Sequence, residues 1–168
     1  MEDATVRQAF AAHSASLYRY ATRMTGDPDL AEDLVQETFV RYAGERSDVH
    51  NERAWLFRVI SNLTITKQRS LGRRLKLLRS AAHRQPLGDP VAMPDERYEK
   101  AELRSLVREA LGRLSERDRT LLLMREEGFT HTEIANAINS TTKSVGTLLA
   151  RALRKVATHL EEVQEALT

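Results

Sequence analysis

Apolar residues recur along this chain at intervals of three and four, and the strict alternation of a half-buried strand is absent. The pattern predicts an all-α fold. A first helix over about residues 5–24 places Val6, Phe10, Leu17, Ala21 and Met24 near one face, and Thr25-Gly26 closes it. Asp27-Pro28 restarts the chain. Asp caps, and Pro takes the first helical position, where its missing N–H costs nothing. The helix that follows, to about residue 43, buries Ala31, Leu34, Val35, Thr38, Phe39 and Tyr42. Its other face shows Glu32, Asp33, Gln36, Glu37 and Arg41. Residues 44–52 are polar and are expected to form a loop. A third helix over about residues 53–70 sets Leu56, Val59, Ile60 and Leu63 on one side. Trp55, Arg58, Asn62, Thr66 and Arg69 lie toward the other. Gly72 either ends this helix or loosens a basic continuation over residues 71–82.

Residues 83–94 hold three of the four prolines and are expected to form a flexible linker. The chain thus divides into two small helical domains, residues 1–82 and 95–168, joined by residues 83–94. The second opens with a helix to about residue 114 carrying Leu103, Leu106, Val107, Ala110, Leu111 and Leu114. Ser115 starts another, with Asp118 as a weaker capping-box partner; it carries Leu121, Leu122, Leu123 and Met124 and stops at Gly128.

Residues 130–155, THTEIANAINSTTKSVGTLLARALRK, have the layout of a helix-turn-helix. Thr130 is the N-cap and Glu133 completes a capping box. Ile134, Ala135 and Ile138 give one apolar face. Asn139 tolerates the left-handed backbone of a tight turn, and Ser140 or Thr141 caps the second helix. In that helix Val145, Leu149, Ala152 and Val156 point inward. Thr142, Lys143, Gly146, Thr147, Ala150, Arg151 and Arg154 are left outside, a small, hydroxylic and basic face suited to a major groove.

Charge sharpens this picture. The formal net charge is only +2, but it is segregated. Residues 66–87 carry Lys67, Arg69, Arg73, Arg74, Lys76, Arg79 and Arg84 with no acid. Residues 27–37 carry Asp27, Asp29, Glu32, Asp33 and Glu37 with no base. A polyanion is expected at one surface and a basic partner at the other. Cysteine is absent, so there is no disulfide and no thiolate metal site. The five histidines show no metal-ligand spacing, and neither a phosphate-binding glycine loop nor a nucleophile elbow occurs. No enzymatic activity and no cofactor are expected. Neither a membrane-spanning run nor a signal-peptide layout is visible, so the expected location is the cytoplasm.

In combination, AEDLVQETFVRYA (residues 31–43), AWLFRVISNLTITKQR (54–69) and LSERDRTLLLMREEGFTHTEIANAI (114–138) resemble bacterial RNA polymerase sigma factors of the extracytoplasmic-function (ECF) group. The resemblance implies that residues 1–82 bind core polymerase and recognise and melt the −10 element, with residues 95–168 reading −35. It implies polymerase contacts at Asp33, Gln36 and Glu37, with Glu32 on the same face. It implies −10 contacts at Asn51, Arg53 and Asn62, with Lys67, Arg69, Arg73 and Arg74 for phosphates. On the reading helix it implies base contacts at Gly146, Thr147, Ala150 and Arg151, with Lys143, Ser144 and Arg154 near phosphates and Thr142 beside them. Implied partners are core RNA polymerase, promoter DNA and an anti-sigma factor. Three positions depart from the family's pattern: Thr66 stands for a common acid, and Gly146 and Leu148 for frequent bases. The residues alone also fit a stand-alone helix-turn-helix regulator, or a sigma-like module that only binds an anti-sigma factor.

Overall fold

The structure, a computed structural model, describes residues 2–78 and 98–168. Its elements are α1 (Glu2–Thr25), α2 (Pro28–Glu45), a 3-10 turn (Arg46–Asp48), α3 (Glu52–Leu78), α4 (Tyr98–Gly112), α5 (Glu116–Glu126), α6 (His131–Ile138) and α7 (Thr142–Leu167). The expected linker, residues 83–94, lies outside the described residues. Much of the expected 44–52 loop is helical: α2 continues to Glu45, the 3-10 turn follows, and Glu52 already belongs to α3. Past residue 70, α3 runs on through Gly72 to Leu78.

Local chemistry sets the boundaries. Gly26 and Gly128 have φ of 70° and 90°, left-handed values that cost glycine nothing, and both follow a helix. Asp27 Oδ1 accepts the N–H groups of Asp29 and Leu30 at 3.0 and 3.2 Å, which caps α2 around Pro28. Thr130 and Glu133 form a complete capping box on α6. Asn139 sits at φ 54°, ψ 51°, and Thr141 then caps α7. Ser115 caps α5, but the Asp118 carboxylate turns to Lys155, 2.7 Å away.

The first three helices pack around Leu17, Tyr20, Met24, Leu34, Phe39, Leu56, Phe57 and Ile60, all buried. Tyr20 donates to or accepts from Ser61 Oγ at 2.7 Å inside this core, and burial pushes its phenol well up from the ordinary value, so it stays neutral. The second unit packs α4 to α7 around Leu111, Leu114, Leu121, Met124, Ile134, Val145 and Leu149. Two expected core residues face outward. Phe10 is 47% exposed, with its ring edge-on to Phe39 at 5.0 Å, and Leu103 is 58% exposed near the start of α4.

The two cores are continuous. Phe129 packs against Phe57 with ring centroids 4.9 Å apart. Beside them Arg119 is buried, and its hydrogen bonds among the described residues run to backbone carbonyls. Its guanidinium donates to Leu111 O (3.0 Å), Leu114 O (3.1 Å), Gly112 O (3.4 Å) and, across the units, Met24 O. These carbonyls lie at or near the C-terminal ends of α4 and α1, where the helix dipoles favour a cation. Burial lowers the pKa of Arg119 from its ordinary value, against the opposing pull of Glu116, yet a guanidinium remains protonated.

Arg119→Met removes the donors and leaves carbonyls stranded in the interior. The expected loss is about 2–3 kcal/mol of stability, read as a lower midpoint in urea-induced unfolding. An unchanged midpoint would show that water replaces the guanidinium there.

Candidate nucleic-acid interface

The sequence-predicted residues fall on three surfaces. On α2, Ala31, Leu34, Val35, Thr38, Phe39 and Tyr42 are buried, which turns Glu32, Asp33, Gln36 and Glu37 to solvent. Glu37 also pairs with Arg41 one turn on, at 2.9 Å. Val40, missed in the sequence reading, is 72% exposed on the same face and adds an apolar spot to the acids. Its place three residues after Glu37 and four after Gln36 was the available signal.

The second surface follows α3. Asn51 caps it, accepting the Ala54 N–H at 3.1 Å. Asn62, Thr66, Arg69 and Arg73 step along one exposed stripe at spacings of four, three and four, with Lys67 and Arg74 exposed beside it. An open cleft of about 590 Å³ is lined by Gln68, Arg69, Gly72, Arg73 and Glu116. Trp55 is half-buried and tilted against Tyr42 at 5.6 Å between centroids, which makes it an anchor in the fold. Glu52 steadies the start of α3: its carboxylate accepts from Tyr42 Oη at 2.6 Å and meets His13 Nε2 at 2.9 Å.

The third surface is the outer face of α7. Thr142, Lys143, Gly146, Thr147, Ala150, Arg151 and Arg154 are all exposed, while Val145, Leu149 and Ala152 are buried. Ser144 is held in the cap: its N–H meets Thr141 Oγ1 at 3.3 Å and the two hydroxyls lie 2.7 Å apart. The face combines a backbone open to close approach, hydroxyls and two arginines.

Asn51 and Arg53 do not stand free beside the α3 stripe. The Asn51 amide donates to Glu133 Oε1 of α6 at 3.2 Å. Arg53 donates to the Glu127 carbonyl at 2.7 Å and stacks over Phe129 and Phe57, 4.2 and 5.1 Å from the ring centroids. Phe57 is one turn on in the same helix, but Glu127, Phe129 and Glu133 lie more than 70 residues away, and no local pattern announces them.

Two family models match in chain order: Sigma-70 region 2 over residues 9–74 and Sigma-70, region 4 over residues 104–156. The ECF RNA polymerase sigma factor SigL of Mycobacterium tuberculosis (strain ATCC 25618 / H37Rv) is 32% identical over 168 residues, covering 96% of this chain and 92% of SigL. The chain belongs to the ECF RNA polymerase sigma factors. The ECF sigma factor SigE of Mycolicibacterium smegmatis is also similar, 32% identical over 136 residues, 79% of this chain and 51% of that one. In fold, the chain matches the sigma factor RpoE solved in complex with the anti-sigma factor NepR from Bartonella quintana, with a TM-score of 0.72 and 22% identity over 92% of this chain and 96% of that one. As an ECF sigma factor it binds core RNA polymerase and directs transcription initiation at promoters. Among the described residues, no helix is long and apolar enough to cross a membrane.

In this sigma factor the three departures from the family pattern have different surroundings. Thr66 is exposed on the α3 stripe. Leu148 is half-buried against the core, an apolar residue in an apolar setting. Gly146 is exposed, and a Cβ there meets only His131 Cε1, at an ordinary 3.8 Å. Packing therefore does not demand glycine. Gly146→Ala is expected to stabilise α7 by about 1 kcal/mol through helix propensity, seen as a higher melting temperature. A lower one would reveal a constraint the packing does not contain.

Proposed function

We propose that this sigma factor divides its work between residues 1–82 and 95–168, joined by residues 83–94. The acidic face of α2, with Glu32, Asp33, Gln36 and Glu37, meets a basic surface of core polymerase through charge-assisted hydrogen bonds. Asn51, Arg53 and Asn62 take the −10 strand as bases leave the stack, and Lys67, Arg69, Arg73 and Arg74 hold its phosphates. The outer face of α7 enters the −35 major groove. There Gly146, Thr147, Ala150 and Arg151 face bases, and Thr142, Lys143, Ser144 and Arg154 lie near phosphates.

The observation that carries this reading is the separation of charge onto opposite tasks. An acid-only stretch is exposed on α2, and basic stripes are exposed on α3 and α7. The chain supplies recognition, and polymerisation belongs to its partner, so it acts in the cytoplasm and is not itself an enzyme. An anti-sigma protein is a further partner by analogy with the RpoE–NepR complex.

Transcription with core RNA polymerase on fragmented genomic DNA, with mapped RNA 5′ ends, tests the whole. Discrete starts sharing two upstream elements are expected; their absence defeats the reading. Asp33→Lys with Glu37→Lys is expected to weaken polymerase capture in a pull-down while leaving the circular dichroism spectrum unchanged. Equal capture would remove α2 from the polymerase interface. Arg151→Ala is expected to cost about 1–3 kcal/mol at one −35 base pair. A uniform loss across promoter sequences would assign Arg151 to a phosphate instead.

A further inference from the structure

A row of leucines on α7 belongs neither to the core nor to the outer face described above. Leu153, Leu160 and Leu167 recur at seven-residue intervals, with Ala157 and Gln164 between them at alternating spacings of four and three. That is the spacing of a seam between two paired helices. Leu153 and Leu167 are 59% and 68% exposed, Ala157 is exposed and Leu160 is half-buried. Val156 and Val163 turn the other way, toward the fold: Val163 is buried and Val156 packs against the core. The seam lies open along about 20 Å of helix.

The charges along the seam are sorted by end. Arg151 and Arg154 flank its start, Glu161 and Glu165 its finish, and all four are exposed. Among the described residues none of the four forms an ion pair, whereas Lys155 and Glu162 of the same helix pair with Asp118 at 2.7 Å and Arg113 at 3.1 Å. Glu161 and Glu165 are like charges one turn apart near a helix C-terminus, where the dipole disfavours acids. The isolated helix gains nothing from this order. A second α7 laid antiparallel turns it into a match, with bases against acids and the two dipoles opposed. A parallel copy would set base beside base and acid beside acid. With Ala157 of each copy opposite Leu160 of the other, Leu153 meets Gln164 and Leu167 meets Ala150. No leucine then meets a leucine, and the alanines leave room for close approach. The same register sets Arg154 beside Glu161 and Arg151 beside Glu165, twice by symmetry.

We propose that the Leu153–Leu167 seam is a self-association surface, on which two copies of the chain pair antiparallel through α7 and occupy Arg151 and Arg154. A seam this short makes a weak dimer, one that dilution or a competing ligand dissolves. Duplex DNA is such a competitor, because it draws on the same two arginines. The dimer therefore masks the outer face of α7 when the free chain is abundant. Only this masking rests on the −35 assignment of α7 given above; the dimer stands on the seam and its charges.

Sedimentation velocity of the full chain between about 1 and 200 µM is expected to show a monomer passing to a dimer. Ala157→Glu, a charge at the centre of the seam on an exposed helical position, is expected to stay monomeric throughout. Arg154→Glu and Glu161→Arg are each expected to weaken the dimer about tenfold or more. Combining the two is expected to restore it, because antiparallel pairing sets those side chains together. A wild-type chain that stays monomeric, a dimer that survives Ala157→Glu, or a double exchange that restores nothing overturns the proposal. In the first case, weaker capture of Ala157→Glu by core polymerase would give the seam to polymerase instead. Duplex DNA of mixed sequence, added at low salt, is expected to convert the dimer into complexes of one chain with DNA. A dimer that binds DNA without dissociating overturns the masking. If the Ala157→Glu chain also fails to bind duplex, the dimer stands and the −35 assignment of α7 fails.

Discussion

Arg119 answers carbonyls at or near the ends of two helices that belong to different halves of the chain, and the architecture turns on that cation. A helix end buried without partners is costly, because its last carbonyls have no donor within the helix. Here one guanidinium serves α4 in its own unit and α1 in the other. Its hydrogen bonds run to peptide carbonyls, whose partial charges face the cation, while Glu116 adds a favourable field; Gln68 shares one of those carbonyls, donating to Met24 O at 3.0 Å. The same side chain that completes the second unit therefore ties it to the first. The aromatic pair Phe57–Phe129 and the Arg53 stack build outward from this point.

Most helices were legible from spacing alone, because each has an apolar stripe and a chemically marked start or stop. The capping box at Thr130 and the left-handed Asn139 are local devices, so they could be read from neighbouring residues. The exposed face of α7 followed from the same register. What could not be read depended on partners distant in sequence. Phe10 and Leu103 fit their stripes yet stand exposed, because register identifies a face without saying whether a neighbour covers all of it. Arg119 sits in a charged helix start, and nothing in its neighbouring residues points to the buried carbonyls it meets. Glu133 was legible as a capping-box partner, and nothing near Glu127 marks it for a contact. Their contact with Arg53 and Asn51 arises only when α3 and α6 meet.

The separation of charge seen along the sequence survives folding, which ties composition to function in a physical way. On the assignment proposed above, an acidic face on α2 and basic stripes on α3 and α7 would let one small chain address a protein and a polyanion without the two surfaces neutralising each other. The near-zero sum of charges hides this completely. Rigid helices carry all three surfaces, so side chains are presented in a fixed register.

Glu133 has two oxygens with two separate duties. Oε2 accepts the Thr130 N–H at 2.8 Å and holds the first turn of α6, while Oε1 accepts from Asn51. Losing Asn51 leaves the first duty intact. The cap of α6 is thus made by Thr130 and Glu133 alone and does not lean on the contact with α3. One carboxylate therefore serves a local bond and a long-range one on different atoms, and the start of the element stays shaped whichever partner its outer oxygen meets.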